Sequence, residues 1–307
     1  MSSSTVAAPP ELFVGVKRTC AVILYYVISI SSIILHTLFI MGIKKLRGWK
    51  ANFSFTLLIF LSTMALVYFS VHMISCVTAL FYMNWEKYQF LWIFLGSLAI
   101  SSYYTVVLLN LVIALHRIYY TVFPFQANRP GSVVVEKITT TGIGIIFVTT
   151  VIIFNTQLIG FRWVASLMSF SPTKSRVSYV ILNKISNYLI GVVNLIAYAI
   201  LLFTLIKRKM LSFSRSHEIK MTLQVSFMMI AEMIFFCYWE FANVHGYGAW
   251  DLVIAEISVL LFFDVLVLPY MILNRSFHAE MKRLFKPCDR KGERTRQLRM
   301  SVVTTAT

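Results

Sequence analysis

Apolar residues along the chain gather into seven long runs parted by short polar segments, at positions 20–43, 53–79, 90–115, 138–160, 185–206, 221–244 and 251–273. Each reaches or exceeds the roughly 20 residues a helix needs to cross the hydrocarbon core of a bilayer. None alternates with a period of two, and all outrun the roughly ten-residue strands of a membrane barrel. They are apolar on every side, as lipid-embedded helices are. The expected fold class is therefore all-α: an integral membrane bundle of seven transmembrane helices. Beyond the last run, Phe277, Met281, Leu284 and Phe285 recur at i, i+4, i+7 and i+8 among Lys282, Arg283 and Lys286. That pattern predicts a short amphipathic eighth helix lying on the membrane surface. The expected organisation is an extracellular N-terminus (1–19), a seven-helix domain (20–273), and a cytoplasmic amphipathic helix with a basic tail (274–307).

Composition strengthens this picture. Of 307 residues, 58% are hydrophobic and only 13% are charged, about half the charged share of an ordinary soluble domain. So few charges do not coat a water-facing surface. Intrinsic disorder and a disulfide scaffold are excluded, the latter by the sparseness of four cysteines. Of the seven prolines, only Pro269 falls inside a run, so one kink is expected, in the seventh helix. The segment 1–12 lacks a basic start, which argues against a cleavable signal peptide and for the first span as its own insertion signal.

Charge sets the orientation. With the N-terminus outside, 21 of the 28 Lys and Arg residues fall in the three inner loops and the tail, as cytoplasmic segments require. The net charge of +16 then reflects topology and attraction to the anionic inner leaflet. No basic patch interleaved with stacking aromatics suggests a nucleic-acid partner. The sequons at Asn52 and Asn274 both fall on the cytoplasmic side and should carry no glycan.

The end of the third run reads Asn110-Leu-Val-Ile-Ala-Leu-His116-Arg117-Ile-Tyr-Tyr-Thr-Val-Phe-Pro124. It resembles the Asp-Arg-Tyr motif of rhodopsin-like receptors, followed at the family's spacing by proline, with His116 in place of the acid. Leu268-Pro269-Tyr270-Met-Ile resembles, more distantly, the Asn-Pro-x-x-Tyr motif of the same family's seventh helix. The tethering cysteines of that family are missing. Seven spans, the relaxed Arg117…Pro124 pair, a lone seventh-span proline and a basic tail resemble the nematode serpentine chemoreceptors, with a lean toward class V. The resemblance implies a small external ligand among the outer helix halves and a heterotrimeric G protein at Arg117. It also implies a plasma-membrane location, in sensory cilia. Cys288, just past the amphipathic helix, is a palmitoylation candidate.

Carboxylates within the runs are the best pointers to a site, because a charge at mid-bilayer is costly and usually faces a polar interior. Glu240 and Glu256 sit toward the outer side and are ligand-contact candidates, with an interhelical hydrogen bond as the other reading of each. Trp239, Tyr103, Tyr104 and His72 are candidate pocket residues, although aromatics this frequent commonly serve packing. Asp264 and Glu232, nearer mid-depth, are expected to join Asn110 and Asn194 in a buried polar network. Glu218 is the candidate partner of Arg117, since an acid near that point pairs with the arginine in rhodopsin-like receptors. The seventh run has no lysine, so an opsin-type Schiff base is excluded. No metal-ligand spacing, phosphate loop or nucleophile–base pair appears, so neither an enzyme nor a cofactor is expected. A seven-helix transporter or ligand-gated channel using the unpaired carboxylates is the alternative, although no paired halves with matching broken helices are visible.

Overall fold

The computed structural model describes residues 13–46, 49, 53–83, 87–122, 131–156, 159–173, 176–207, 216–242 and 250–285. The helices, in order, are α1 (Gly15–Lys45), α2 (Phe53–Leu80), α3 (Gln89–Val122) and α4 (Gly131–Phe154). Then come α5, in three consecutive pieces (Arg176–Tyr188, a π-helical turn Leu189–Val193, and Asn194–Lys207), and α6 (Ser216–Cys237, closing in a π-helical turn Tyr238–Ala242). The last two are α7 (Trp250–Leu273) and the short α8 (Arg275–Phe285). Six of them, α1 to α5 and α7, are long and apolar enough to cross a membrane. The run at 221–244 is helical over its described part, within Ser216–Ala242, but α6 is not among these six. It opens on Ser216-His217-Glu218-Ile219-Lys220 and carries Gln224 and Glu232 further in.

α3 is the central post, touching α2, α4 and α5, and α1, α2, α3, α5, α6 and α7 each meet the next around a ring that closes from α7 back to α1. Of the other helices, α4 packs mainly on α3 and leaves Ile138, Ile145, Val148 and Ile152 exposed. Leucine, isoleucine and valine exposed in this way suit a lipid surround. The interior is filled by aromatics such as Tyr25, Phe39, Phe69, Phe262 and Phe263, all essentially inaccessible.

Two segments depart from the sequence expectation. The fourth run was expected to reach residue 160, but α4 stops at Phe154, and the fifth helix starts at Arg176 rather than 185. The early half of α5 is inverted in polarity. Val177, Val180, Ile181 and Ile185 are exposed, while Ser186 and Asn187 are buried. A hydropathy window averages this polar inner face away.

Between α4 and α5 the fold is not all-α. Strands β1 (Phe161–Val164) and β2 (Ser169–Pro172) pair antiparallel, with Phe161 opposite Pro172 and Val164 opposite Ser169. Their alternation sends Phe161, Trp163 and Phe170 inward. Met168 turns the chain with a left-handed φ of +52°. The neck is closed by Thr173, whose backbone N–H donates to the Gly160 carbonyl at 2.7 Å.

The hairpin lies against α3 at Gly96, where any Cβ would collide with the Phe161 carbonyl oxygen. It is also tied to Tyr25, whose hydroxyl donates to the Met168 carbonyl at 2.9 Å, and to Phe13, whose N–H donates to the Ser166 carbonyl at 3.2 Å. Cys20, Cys76 and Cys237 are all free thiols. Close packing and hydrogen bonds therefore seat this hairpin without a disulfide among the described residues.

α8 begins on a side-chain cap. Asn274 Oδ1 accepts the N–H groups of Ser276 and Phe277 at 3.1 and 3.2 Å, a standard N-cap arrangement. The Asn274 sequon is thus engaged in folding. Phe277 then buries its ring against Gly42 and Phe39 of α1, holding α8 to the base of the bundle.

Candidate functional site

At the hairpin end of the bundle lies a cavity of about 160 Å³. Tyr68 of α2, Ile100, Tyr103 and Tyr104 of α3, and Asn183 and Asn187 of α5 form part of its wall. Trp239 of α6 and Leu252, Ala255, Glu256 and Val259 of α7 complete it, with Ser169 and Phe170 of β2 as a further wall. Of the ligand candidates named from sequence, Glu256, Trp239 and Tyr103 line it, as does Tyr104.

Glu240 does not line it, but sits one bond behind: Asn187 Nδ2 donates to Glu240 Oε1 at 3.0 Å. His72 stands behind Glu256, with Nε2 3.6 Å from Oε1. It is walled by the rings of Tyr25 at 4.7 Å and Trp163 at 5.3 Å. Trp239 is fixed by its indole N–H, which donates to Ser258 Oγ at 2.8 Å.

Glu256 is the chemical centre of the cavity. The Tyr68 hydroxyl donates to its Oε1 at 2.7 Å and the Ser169 hydroxyl to its Oε2 at 3.2 Å. One carboxylate thereby joins α2, α7 and the hairpin. Sequence reasoning missed Tyr68, Ser169, Asn183 and Asn187. Nothing marks Tyr68 among 15 tyrosines, and the other three lie where a loop or a helix start reads as ordinary polar surface. Outside the helices, burial pulls the Arg162 guanidinium of β1 below the usual arginine range.

Deeper along α6, about two turns or 12 Å from Glu240, Glu232 accepts Asn110 Nδ2 at 2.9 Å and Asn194 Nδ2 at 3.1 Å. Tyr198 donates to Asn110 Oδ1 at 3.4 Å. The structure thus joins three of the four expected network residues. Asp264 belongs elsewhere. It accepts the Ser32 hydroxyl at 2.8 Å, with His36 Nε2 at 3.4 Å, so it ties α7 to α1. The reason is position: Asp264 lies on the part of α7 that packs against α1.

At the far end, Arg117 is buried and its Cζ stacks 4.8 Å from the Tyr270 ring centroid, beside Pro269 within α7. Its Nη1 is buried without a hydrogen-bond partner. His116, in the place of the expected acid, meets Ser54 Oγ through Nδ1 at 3.0 Å and packs on Tyr120. The backbone of Glu218 is in α6, but its side chain, like Pro124 and Cys288, lies outside the described residues.

No protein-family model matches this chain, and no curated protein matches it.

Proposed function

We propose that this chain is a seven-helix, G-protein-coupled chemosensory receptor of the plasma membrane, with its N-terminus and hairpin outside. A small external ligand enters the cavity at Glu256, Trp239 and Tyr103. It favours one of two arrangements of the helices and so shifts an existing equilibrium. The cytoplasmic ends around Arg117, with α8 on the inner leaflet, then engage a heterotrimeric G protein.

One observation carries the reading. The cavity draws on α2, α3, α5, α6 and α7 together, so a ligand in it touches nearly every helix of the ring. Supporting it are the polar joints between the same helices nearer the other end, which give a bound ligand something to redistribute. The Arg117–Tyr270 stack is a joint of the same kind, between α3 and α7. A guanidinium stacked on an aromatic ring is held by an attraction of about 1–2 kcal/mol, weak enough to be exchanged for a partner protein.

The test is G-protein activation in cells expressing the chain, beside Arg117→Ala with matched surface expression. Basal or ligand-evoked activation that disappears in the variant is the expected result. Activation untouched by Arg117→Ala removes that residue from coupling. The transport reading draws on one feature: among the described residues, Glu232, Glu256 and Asp264 pair with no Lys or Arg. Ionic current or proton uptake without G-protein activation would favour it.

A further inference from the structure

Beyond the existence of a site, the cavity's chemistry says what kind of molecule fits. We propose that the cavity takes a small organic cation: a monocationic amine of roughly ten heavy atoms or fewer, with a ring as its apolar body. This rests on the receptor reading for the purpose of the site, but not for its chemistry.

The charge argument comes first. Both oxygens of Glu256 accept hydrogen bonds, one from Tyr68 and one from Ser169. Hydroxyls at both oxygens suit the ionised form of the group, to which each can donate. A buried carboxyl group either takes up a proton or, if it stays ionised, is stabilised by a compensating cation. Among the described residues no Lys or Arg supplies one. Lys184, next to Asn183 on α5, is exposed. His72 is the nearest basic group. Its Nε2 stands 3.6 Å from Oε1 and makes no hydrogen bond. Its ring is enclosed by Tyr25, Tyr68, Trp163 and Phe170, and its Nδ1 faces the Cys76 thiol at 3.8 Å. A cation entering the cavity would supply that charge.

The walls say what carries that charge. Tyr68, Tyr103, Tyr104, Phe170 and Trp239 all border the space. Aromatic faces attract a cation desolvated among them by about 2 kcal/mol each at best. They offer an anion nothing. Across the cavity, Asn187 spends an N–H on Glu240, which leaves its carbonyl oxygen as an acceptor and adds a second carboxylate to the field. With Glu256 and this carbonyl oxygen, the cavity offers acceptors to a ligand that donates. A metal ion is the wrong occupant: among the described residues no three His, Cys, Asp or Glu side chains converge to hold one. Size sets the last bound. The volume of about 160 Å³ is close to the roughly 150 Å³ that accommodates benzene in an engineered cavity.

The experiment uses the full chain purified into lipid nanodiscs and three isosteric probes: benzylamine, benzyl alcohol and benzoate. Calorimetric titration and the thermal unfolding midpoint read the binding. Benzylamine is expected to bind at least tenfold more tightly than benzyl alcohol, and benzoate not at all. Glu256→Gln should erase the preference for the amine. Ala255→Leu, which fills the cavity while keeping the carboxylate, should abolish binding of the amine and the alcohol together. Equal binding of alcohol and amine, a preference that survives Glu256→Gln, or no binding of the amine by the unaltered chain would each overturn the proposal. A G-protein assay on the same preparation separates the two readings. Amine binding without G-protein activation would sink the receptor function and leave the ligand class standing.

Discussion

Glu232 and Glu256 are the same side chain in two settings, each nearly inaccessible and each joining helices. Glu232 is met by two amide N–H groups, from Asn110 and Asn194. Glu256 is met by two hydroxyls, from Tyr68 and Ser169. An amide N–H only donates, whereas a hydroxyl can rotate and accept. The Glu232 site is therefore committed to one charge pattern. The Glu256 site can rearrange its hydrogen bonds when its carboxylate is occupied or changed. One is built to hold the bundle, the other to respond to what enters it.

Breaking the hairpin end at its seat should have the largest effect. Gly96→Val places a side chain against the Phe161 backbone, which cannot move without unseating the hairpin. Overpacking of this kind costs about 3 kcal/mol or more. A fall of several degrees in the unfolding midpoint, with loss of cavity binding, is the expected readout. Gly142, with open space around its Cα, should accept alanine without any such fall.

Neutralising each carboxylate sharpens the comparison itself. Glu232→Gln sets its NH2 against an asparagine NH2, and an asparagine that turns over to accept it buries its own donor instead. The cost should be about 2–3 kcal/mol. Glu256→Gln should cost under about 1 kcal/mol, because Tyr68 or Ser169 can turn to accept. Equal losses of midpoint in the two variants would remove the distinction.

Two smaller effects probe the Arg117 end. Tyr270→Leu removes the ring under Arg117 and should cost about 2 kcal/mol while raising basal signalling. Tyr270→Phe should do neither, since the Tyr270 hydroxyl is buried without a partner. Asn274→Ala deletes the α8 cap at about 1 kcal/mol, visible as faster amide exchange in 276–281 with the outer cavity unaffected.

The helices were legible from the sequence because lipid imposes one rule, an unbroken apolar length, and 53–79 and 251–273 satisfy it almost to the residue. The Asn110–Glu232–Asn194 cluster was legible for a related reason: polar groups inside apolar runs have few places to go but to each other. Asp264 misled because two carboxylates at similar depth share no partner unless their helices face one another, and depth is all a sequence conveys. The hairpin escaped notice because its alternation lasts only four residues per strand. The inner face of α5 was hidden because its buried asparagines look like solvent-facing ones when the outward face is lipid rather than water.

The link from Phe13 to the Ser166 carbonyl bears on the order of assembly. A ribosome delivers residue 13 long before residue 166, and α1 can enter the bilayer while most of the chain is still unmade. Its hairpin end must then wait, with the Tyr25 hydroxyl and the Phe13 N–H lacking their carbonyl partners, until four helices have been made and the hairpin has folded. Among these contacts, the first residues synthesised are among the last to find their place, so the hairpin end is completed only after the helices between them have been made.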